Sequence, residues 1–373
     1  MLITVKDIMG VMESIAPSYL AESWDNVGLQ VGDPNWPVRR IWLALDPIPE
    51  VIQAAIPQQI DLIITHHPLM LESPKSINLS NPISRIIADA IKNNIAIYAS
   101  HTNLDKVNEG LNDILARKLN LIDIRPIVPH KKSDKAKLVI FSPKTHEQQI
   151  LEALFEKNAG IIGNYSKCSF RQEGIGTFQA GELSTPWTGH QGSLEQVDEC
   201  RIEAIIFRKK ASEIIDHVEK NHPYETMAYD IYPLSDLSSS EGLGRTGQLK
   251  NPKTLQRLAD EIIETFNLSY VRIVGDPDLT INRLAVCSGS GGSLLKNVFS
   301  SNVQAYVTGD LKFHDARNIE MHEMGAIDIG HFDSETIYID ELIPKLKNIM
   351  ENRQWPVKIM HCPVERNPFY LKT

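Results

Sequence analysis

An α/β protein of two related lobes that share one site, with an α+β domain inserted between them, is predicted by three observations. Short apolar runs at 62–65, 95–99 and 325–329 are bounded by polar or turn residues, as buried strands of an α/β sheet are. The stretch Ile95-Ala-Ile-Tyr-Ala-Ser100-His101-Thr-Asn-Leu-Asp105 has a counterpart in Gly325-Ala-Ile-Asp-Ile-Gly330-His331-Phe-Asp-Ser-Glu335, each giving strand, small residue, histidine, then a carboxylate four positions on. Near Ile127 the order of elements changes, and the first pattern resumes beyond Gly244. The boundaries that follow are 1–127 for the first lobe, 128–236 for the insert and 237–373 for the second lobe.

Residues 5–18 carry apolar side chains at helical spacing and predict the first helix. Residues 23–32 read as a loop and short strand, with Trp24 as a packing anchor and Asp25 and Asn26 satisfying turn backbone. The next strand is 40–46. Pro49 opens a helix where its missing N–H is harmless, and Asp46 is assigned to that helix as its cap, a place beside the site being the alternative. A loop at 70–80 carries Lys75, a candidate contact for an anion or a solvated side chain, and leads to a helix at 84–93. In the insert, strand 137–141, helix 146–157, strand pieces 168–174 and 176–179, strand 201–207, helix 211–221 and strand 228–233 follow the split βαβ order of ferredoxin-like modules. Residues 237–244 read as a flexible linker. Helix 252–266, strand 283–287, a glycine turn at 289, 291 and 292, and a helix at 315–324 rebuild the first pattern.

The chemistry gathers at strand ends. His66 and His67 follow the run 62–65 and precede Pro68; within a strand they would point to opposite faces, so both serve one site only where the strand ends. Taken alone, the doublet also reads as a solvated strand end. Three polar strand ends carrying His, Asp and Glu then converge, and such mixed ligands suit zinc, manganese or iron(II). Gly289, Gly291 and Gly292 precede a helix and offer either a seat for an anion or a tight turn without ligand. His314, at the start of a helix, is placed beside the site, and His101 and His314 are the candidate proton carriers. Cys362 reads as buried packing and His222, before a proline, as structural.

These motifs resemble the NGG-interacting-factor-three-like family, whose bacterial members are often labelled GTP cyclohydrolase 1 type 2 homologues. The matching residues are Ser23 to Leu29, Thr65-His66-His67-Pro68, Ser100 to Asp105, Cys287 to Gly292, Thr308-Gly309-Asp310, Gly330 to Glu335 and Asn367-Pro368-Phe369, in family order over nearly the whole chain. The resemblance implies a dinuclear metal centre held by His66, His67, Asp105, His331 and Glu335, in subunits that assemble as a toroidal homohexamer. It also implies that the insert is similar to the nitrogen-regulatory PII and divalent-cation-tolerance folds.

Of the 373 residues 42% are hydrophobic and 23% charged, a globular composition too long for one ordinary core. A net charge of -9 argues against nucleic acid or a membrane surface as partner, because phosphate backbones demand clustered Lys and Arg. No apolar run approaches the roughly 20 residues that span a bilayer, and the N-terminus lacks a signal-peptide pattern, so a cytoplasmic protein is expected. Cys168, Cys200, Cys287 and Cys362 show no Cys-x-x-Cys spacing, so neither a zinc ribbon nor a disulfide framework is indicated and reduced thiols are expected. The function expected is a metal-dependent hydrolase acting on a nucleotide or phosphoester, with two divalent ions, zinc foremost, activating water. The alternative is a metal-handling or regulatory binding protein without turnover.

Overall fold

A computed structural model describes residues 2–130, 132–235 and 240–370. The chain falls into two compact units, Met1–His130 with Ser238–Thr373, and Lys131–Leu237. The first half of the larger unit runs α1 (Val5–Ile15), β1 (Gly28–Val31), β2 (Arg40–Ala44), α2 (Pro49–Ala55), β3 (Leu62–Thr65), α3 (Pro82–Lys92), β4 (Ala96–Ala99), α4 (Thr102–Lys106), α5 (Leu111–Lys118) and β5 (Leu121–Pro129). Helix α1 stops short of residue 18 because Pro17 bars its predecessor from helical geometry. Strands β2, β3 and β4 are parallel, and every residue of β3 and β4 is buried, as in a sheet covered on both faces.

The smaller unit is β6 (Lys132–Pro143), α6 (Glu147–Glu156), β7 (Ser169–Gln179), β8 (Leu194–Phe207), α7 (Ala211–Glu219) and β9 (Tyr229–Ser235). Its antiparallel sheet has the order β7-β8-β6-β9. Leu138, Ile140, Ile202 and Ile206 pack against Ile150, Leu154, Ile214 and Val218 of the two helices. The two strand pieces expected on either side of Gly174–Gly176 are one strand, and β8 begins at Leu194 rather than 201. The pairs Gly174↔Glu199 and Gly176↔Val197 extend this hairpin through residues that stay largely in solvent and so lack an apolar signature. Both ring nitrogens of His222 are used within the unit: Nε2 lies 3.0 Å from the Phe141 carbonyl, and Nδ1 accepts from Tyr224 N–H.

The larger unit resumes with β10 (Gly242–Thr254), α8 (Leu255–Phe266), β11 (Arg272–Val274), β12 (Thr280–Ser290), α9 (Leu295–Phe299), β13 (Ala305–Gly309), α10 (Phe313–Met321), β14 (Gly325–Asp328), α11 (His331–Glu335), α12 (Ile337–Asn352) and β15 (Lys358–His361). Of the linker read at 237–244, residues 237–239 lie outside the described residues. Residues 242–244 are not linker but the start of β10, paired with Val128 and Pro129 of β5. Strand β10 also takes the first residues expected of the next helix, which starts only at Leu255, where the Thr254 hydroxyl accepts from Arg257 N–H.

The two sheets of this unit share an arrangement. One has the order β1-β4-β3-β2-β15 and the other β11-β14-β13-β12-β10-β5. In each, three successive parallel strands, β2-β3-β4 and β12-β13-β14, carry an antiparallel strand beside the last of them, β1 on β4 and β11 on β14, and β15 adds a fourth parallel strand to the first sheet. Helices α3 and α10 precede the equivalent strands β4 and β14. Between the sheets, Arg245 is buried and donates to both carboxylate oxygens of Asp113, at 2.8 and 2.6 Å, and to the carbonyls of Gly242, Gly244 and Val107. Among the described residues no helix is long and apolar enough to cross a membrane.

Candidate metal centre

Strands β3, β4 and β14 end at one place. The backbone beyond β3 stays fixed, with His66 N–H donating to Ala44 O and His67 N–H to Leu45 O. His101 precedes the first turn of α4, which brings Asp105 back toward it, and Gly330 turns the chain after β14 so that α11 presents His331 and Glu335 on one face. The rings of His66 and His67 lie 5.2 Å apart, and those of His67 and His331 5.3 Å. His66, His67 and His101 form one group able to hold a cation; His67, His331 and Glu335 form another.

Each of the four histidines is oriented through Nδ1. His66 uses the Ser100 carbonyl at 3.0 Å, His67 uses Asp46 at 2.8 Å, His101 uses Asp25 at 2.9 Å and His331 uses Asp310 at 2.8 Å. Acceptors at Nδ1 place the ring hydrogen there and leave the Nε2 lone pair free, which is how metal-binding histidines are prepared. His66 Nε2 lies 3.7 Å from Asp105 Oδ1 and 3.6 Å from Glu335 Oε1, while Glu335 Oε2 lies 3.1 Å from Nε2 of both His67 and His331. His66 Nε2, Asp105 Oδ1 and Glu335 Oε2 are buried without a hydrogen-bond partner. The Nε2 atoms of His67 and His331 stand 3.3 Å apart. With both Nδ1 positions committed to carboxylates, nitrogens at that distance need a proton or a metal ion between them; around a tetrahedral zinc with bonds of about 2.0–2.1 Å, ligand nitrogens fall at about that separation.

The electrostatics point the same way. Burial lowers the His67 imidazole, but the carboxylates of Asp46 and Glu335 outweigh it and raise His67 to about 10. The Glu335 carboxylate, its Oε2 3.1 Å from the ring Nε2, raises His331 to about 9. Glu335 is buried, which alone would raise it, yet His66 and the other imidazoles hold it well below the usual carboxylate range. A site that draws protons onto its histidines is one short of positive charge.

Sequence reasoning missed the orienting carboxylates. Asp46 is not a helix cap: Ile48 precedes α2 and Asp46 holds His67. Asp25 is more than turn chemistry, because besides facing His101 it accepts from the Thr102 backbone N–H and hydroxyl. Burial pushes its carboxyl up, but those bonds win and hold it at about 2. Asp46 and Asp310, each just past a parallel strand, carried a positional signal. Asp25, 76 residues from its partner, carried none. Trp24 is no buried anchor: it is 59% exposed, its ring edge-on to His101 at 6.0 Å. His101 stands among ligand-ready atoms, whereas His314 is exposed on the first turn of α10 against Phe313 and belongs to neither group. In the glycine turn, Gly289 N–H donates to Ser334 Oγ and Gly291 N–H to Thr308 Oγ1, so neither amide awaits an anion. Gly289 has φ +59, and a Cβ there would strike the Glu335 carboxylate. Cys362 is packed in the apolar cluster around Trp42 and Ile63.

A mixed α/β fold whose strand ends gather histidines and carboxylates able to hold a metal ion defines the class of protein. The sequence model of the Duf34/NIF3 (NGG1p interacting factor 3) family matches residues 3–368, and the chain belongs to that family. A Bacillus subtilis relative named GTP cyclohydrolase 1 type 2 homolog is 36% identical over 364 residues, covering 98% of this chain and 97% of its own. The crystal structure of a Bacillus cereus protein related to NIF3 is similar at 35% identity with a TM-score of 0.80, covering 100% of both chains. That of a Staphylococcus aureus protein is similar at 30% identity with a TM-score of 0.82, covering 100% of this chain and 99% of its own.

Proposed function

We propose that this protein binds two divalent cations and uses them to hydrolyse a nucleotide or phosphoester. His66, His101 and Asp105 would hold one ion and His67 and His331 the other, with Glu335 within reach of both sets. His101 thus becomes a ligand instead of a proton carrier, and His314 has no part in the reading. The observation that carries it is the pair of Nε2 atoms 3.3 Å apart with both Nδ1 positions committed to carboxylates. When bound, such ions acidify water and polarise an electrophile. The chain's own work is to fix four imidazole planes, to keep Glu335 ionised, and to leave the exposed side of His67 and His331 open to a ligand. Nitrogen and oxygen donors suit zinc first, with manganese or iron as the other candidates.

The same reading takes the two halves of the larger unit as related lobes, supported by their matching strand arrangements, and the insert as a ferredoxin-like, PII-like domain, supported by its βαββαβ order. Family membership supports a cytoplasmic homohexamer, which native mass would check. Elemental analysis combined with a panel of nucleotides and phosphoesters tests the function. Wild-type protein should retain two ions per chain and turn over a panel member, and His67→Ala or Glu335→Ala should lose both properties. Ion-loaded protein inert across the panel would leave a metal-handling protein instead, and protein that retains no ion would remove the centre altogether.

A further inference from the structure

The loop at 22–26 is tied down on both sides yet leaves its largest side chain in water. Glu22 N–H donates to Thr102 Oγ1 at 2.9 Å, and its carboxylate pairs with Lys106 at 2.7 Å. Asp25 accepts from Thr102 N–H at 3.0 Å and faces His101 Nδ1, while Asn26 Nδ2 donates to the Met70 carbonyl at 2.6 Å. Between these anchors Trp24 is 59% exposed, and Leu71, beside the carbonyl that holds Asn26, is 55% exposed. An indole on a slack loop would settle onto apolar surface; a pinned backbone holds this one out in solvent, forgoing that burial.

Its position gives the exposure a use. The Trp24 ring is 6.0 Å from the His101 ring, which is in turn 5.2 Å from His66 and 5.5 Å from His67. The indole therefore stands against one of the side chains proposed to hold the ions, His101, and one imidazole away from His66 and His67. Those atoms recognise charge; an indole recognises a π face, and recognises it whatever the ring's substituents.

We propose that Trp24 is the stacking platform for a planar heteroaromatic ring of the nucleobase class, whose attached phosphate reaches the ions. The inference rests on the metal-centre reading above and narrows it, because such a platform selects ring-bearing phosphoesters over ring-free ones without choosing among bases. Calorimetric titration of ion-loaded wild-type, Trp24→Ala and Trp24→Phe protein with guanosine 5′-monophosphate and with ribose 5-phosphate tests it, with ion content and native mass measured on each sample. Trp24→Ala should weaken the nucleotide by roughly 5- to 150-fold, the span of one lost base–aromatic stack, while Trp24→Phe stays near wild type. Ribose 5-phosphate should bind all three proteins alike, with unchanged ion content.

Equal affinity of wild-type protein for the two phosphates overturns the platform, as does a Trp24→Ala protein that binds the nucleotide normally. A Trp24→Phe protein as weak as Trp24→Ala, or a changed native mass in Trp24→Ala, overturns it too, the latter by making the indole a contact between copies of the chain. Wild-type protein without ions fails earlier, at the metal reading itself, and that failure shows before any nucleotide is added.

Discussion

Replacing Asp46 would separate the orientation of a ligand from ligation itself. Its Oδ1 lies 2.8 Å from His67 Nδ1, and its side chain is 40% exposed, so truncation opens no cavity. With alanine there, the imidazole loses the acceptor that fixes its tautomer and aims its Nε2. Outer partners of ligand histidines are typically worth about 10- to 100-fold in metal affinity, or about 1.4–2.8 kcal/mol. A hydrogen bond to a charged group is independently worth about 1.5–3 kcal/mol, which agrees. Asparagine keeps an acceptor and drops the charge, so Asp46→Asn should fall between wild type and Asp46→Ala. Competition for zinc against a chromophoric chelator, with stoichiometry from elemental analysis, reads the effect. The loss should fall on the ion assigned to His67 and His331 and spare the one assigned to His66, His101 and Asp105. The reasoning is refuted if Asp46→Ala binds both ions as wild type does, or weakens both equally.

Gly289→Ala should destabilise metal-free protein by more than about 1 kcal/mol in urea unfolding, because φ +59 disfavours alanine and the new methyl meets the Glu335 carboxylate; ion content should fall with it, and an unchanged midpoint would contradict the packing described. Arg245→Met strands the buried Asp113 carboxylate and should cost about 3–5 kcal/mol in the same assay, with a near-neutral result counting against the Arg245–Asp113 pair as a buried ion pair. In chelated protein, His67 at about 10 and His331 at about 9 lie above the unfolded value of 6.5, so their contribution is full below about pH 6.5 and is lost as pH rises through 9 and 10. Unfolding midpoints should therefore decline across that window, and a flat profile in the wild type would show that these imidazoles gain no carboxylate partner on folding.

The central strands were legible because each is buried on both faces and so reads as an unbroken apolar run; residues 62–65 and 325–328 needed no other clue. Strand β5 and the outer half of the β7–β8 hairpin were not, because only part of each is covered and their polar residues resemble loop. At the candidate site, the ligand types stood at strand ends and could be picked out by chemistry. What positions them could not. Asp46 sits where a cap for the Pro49 helix would sit, and only the folded chain turns it toward His67. Asp25 and His101 meet through tertiary packing, which leaves no mark in local spacing. The indole of Trp24 is apolar, and apolarity argues for burial until neighbouring hydrogen bonds are seen to hold the loop away from the core.

Strand β15 lies parallel to β2 in the amino-terminal sheet, and just beyond it the Glu365 carboxylate accepts from the backbone N–H groups of Leu45 and Asp46. The first sheet is thus finished by a strand that follows the whole second sheet in sequence. Without that strand β2 would show an uncovered parallel edge, and the Asp46 turn would lack the carboxylate that caps it. A chain cut before Lys358 would therefore keep all the candidate ligands yet carry an open strand edge that proteases and chaperones can recognise.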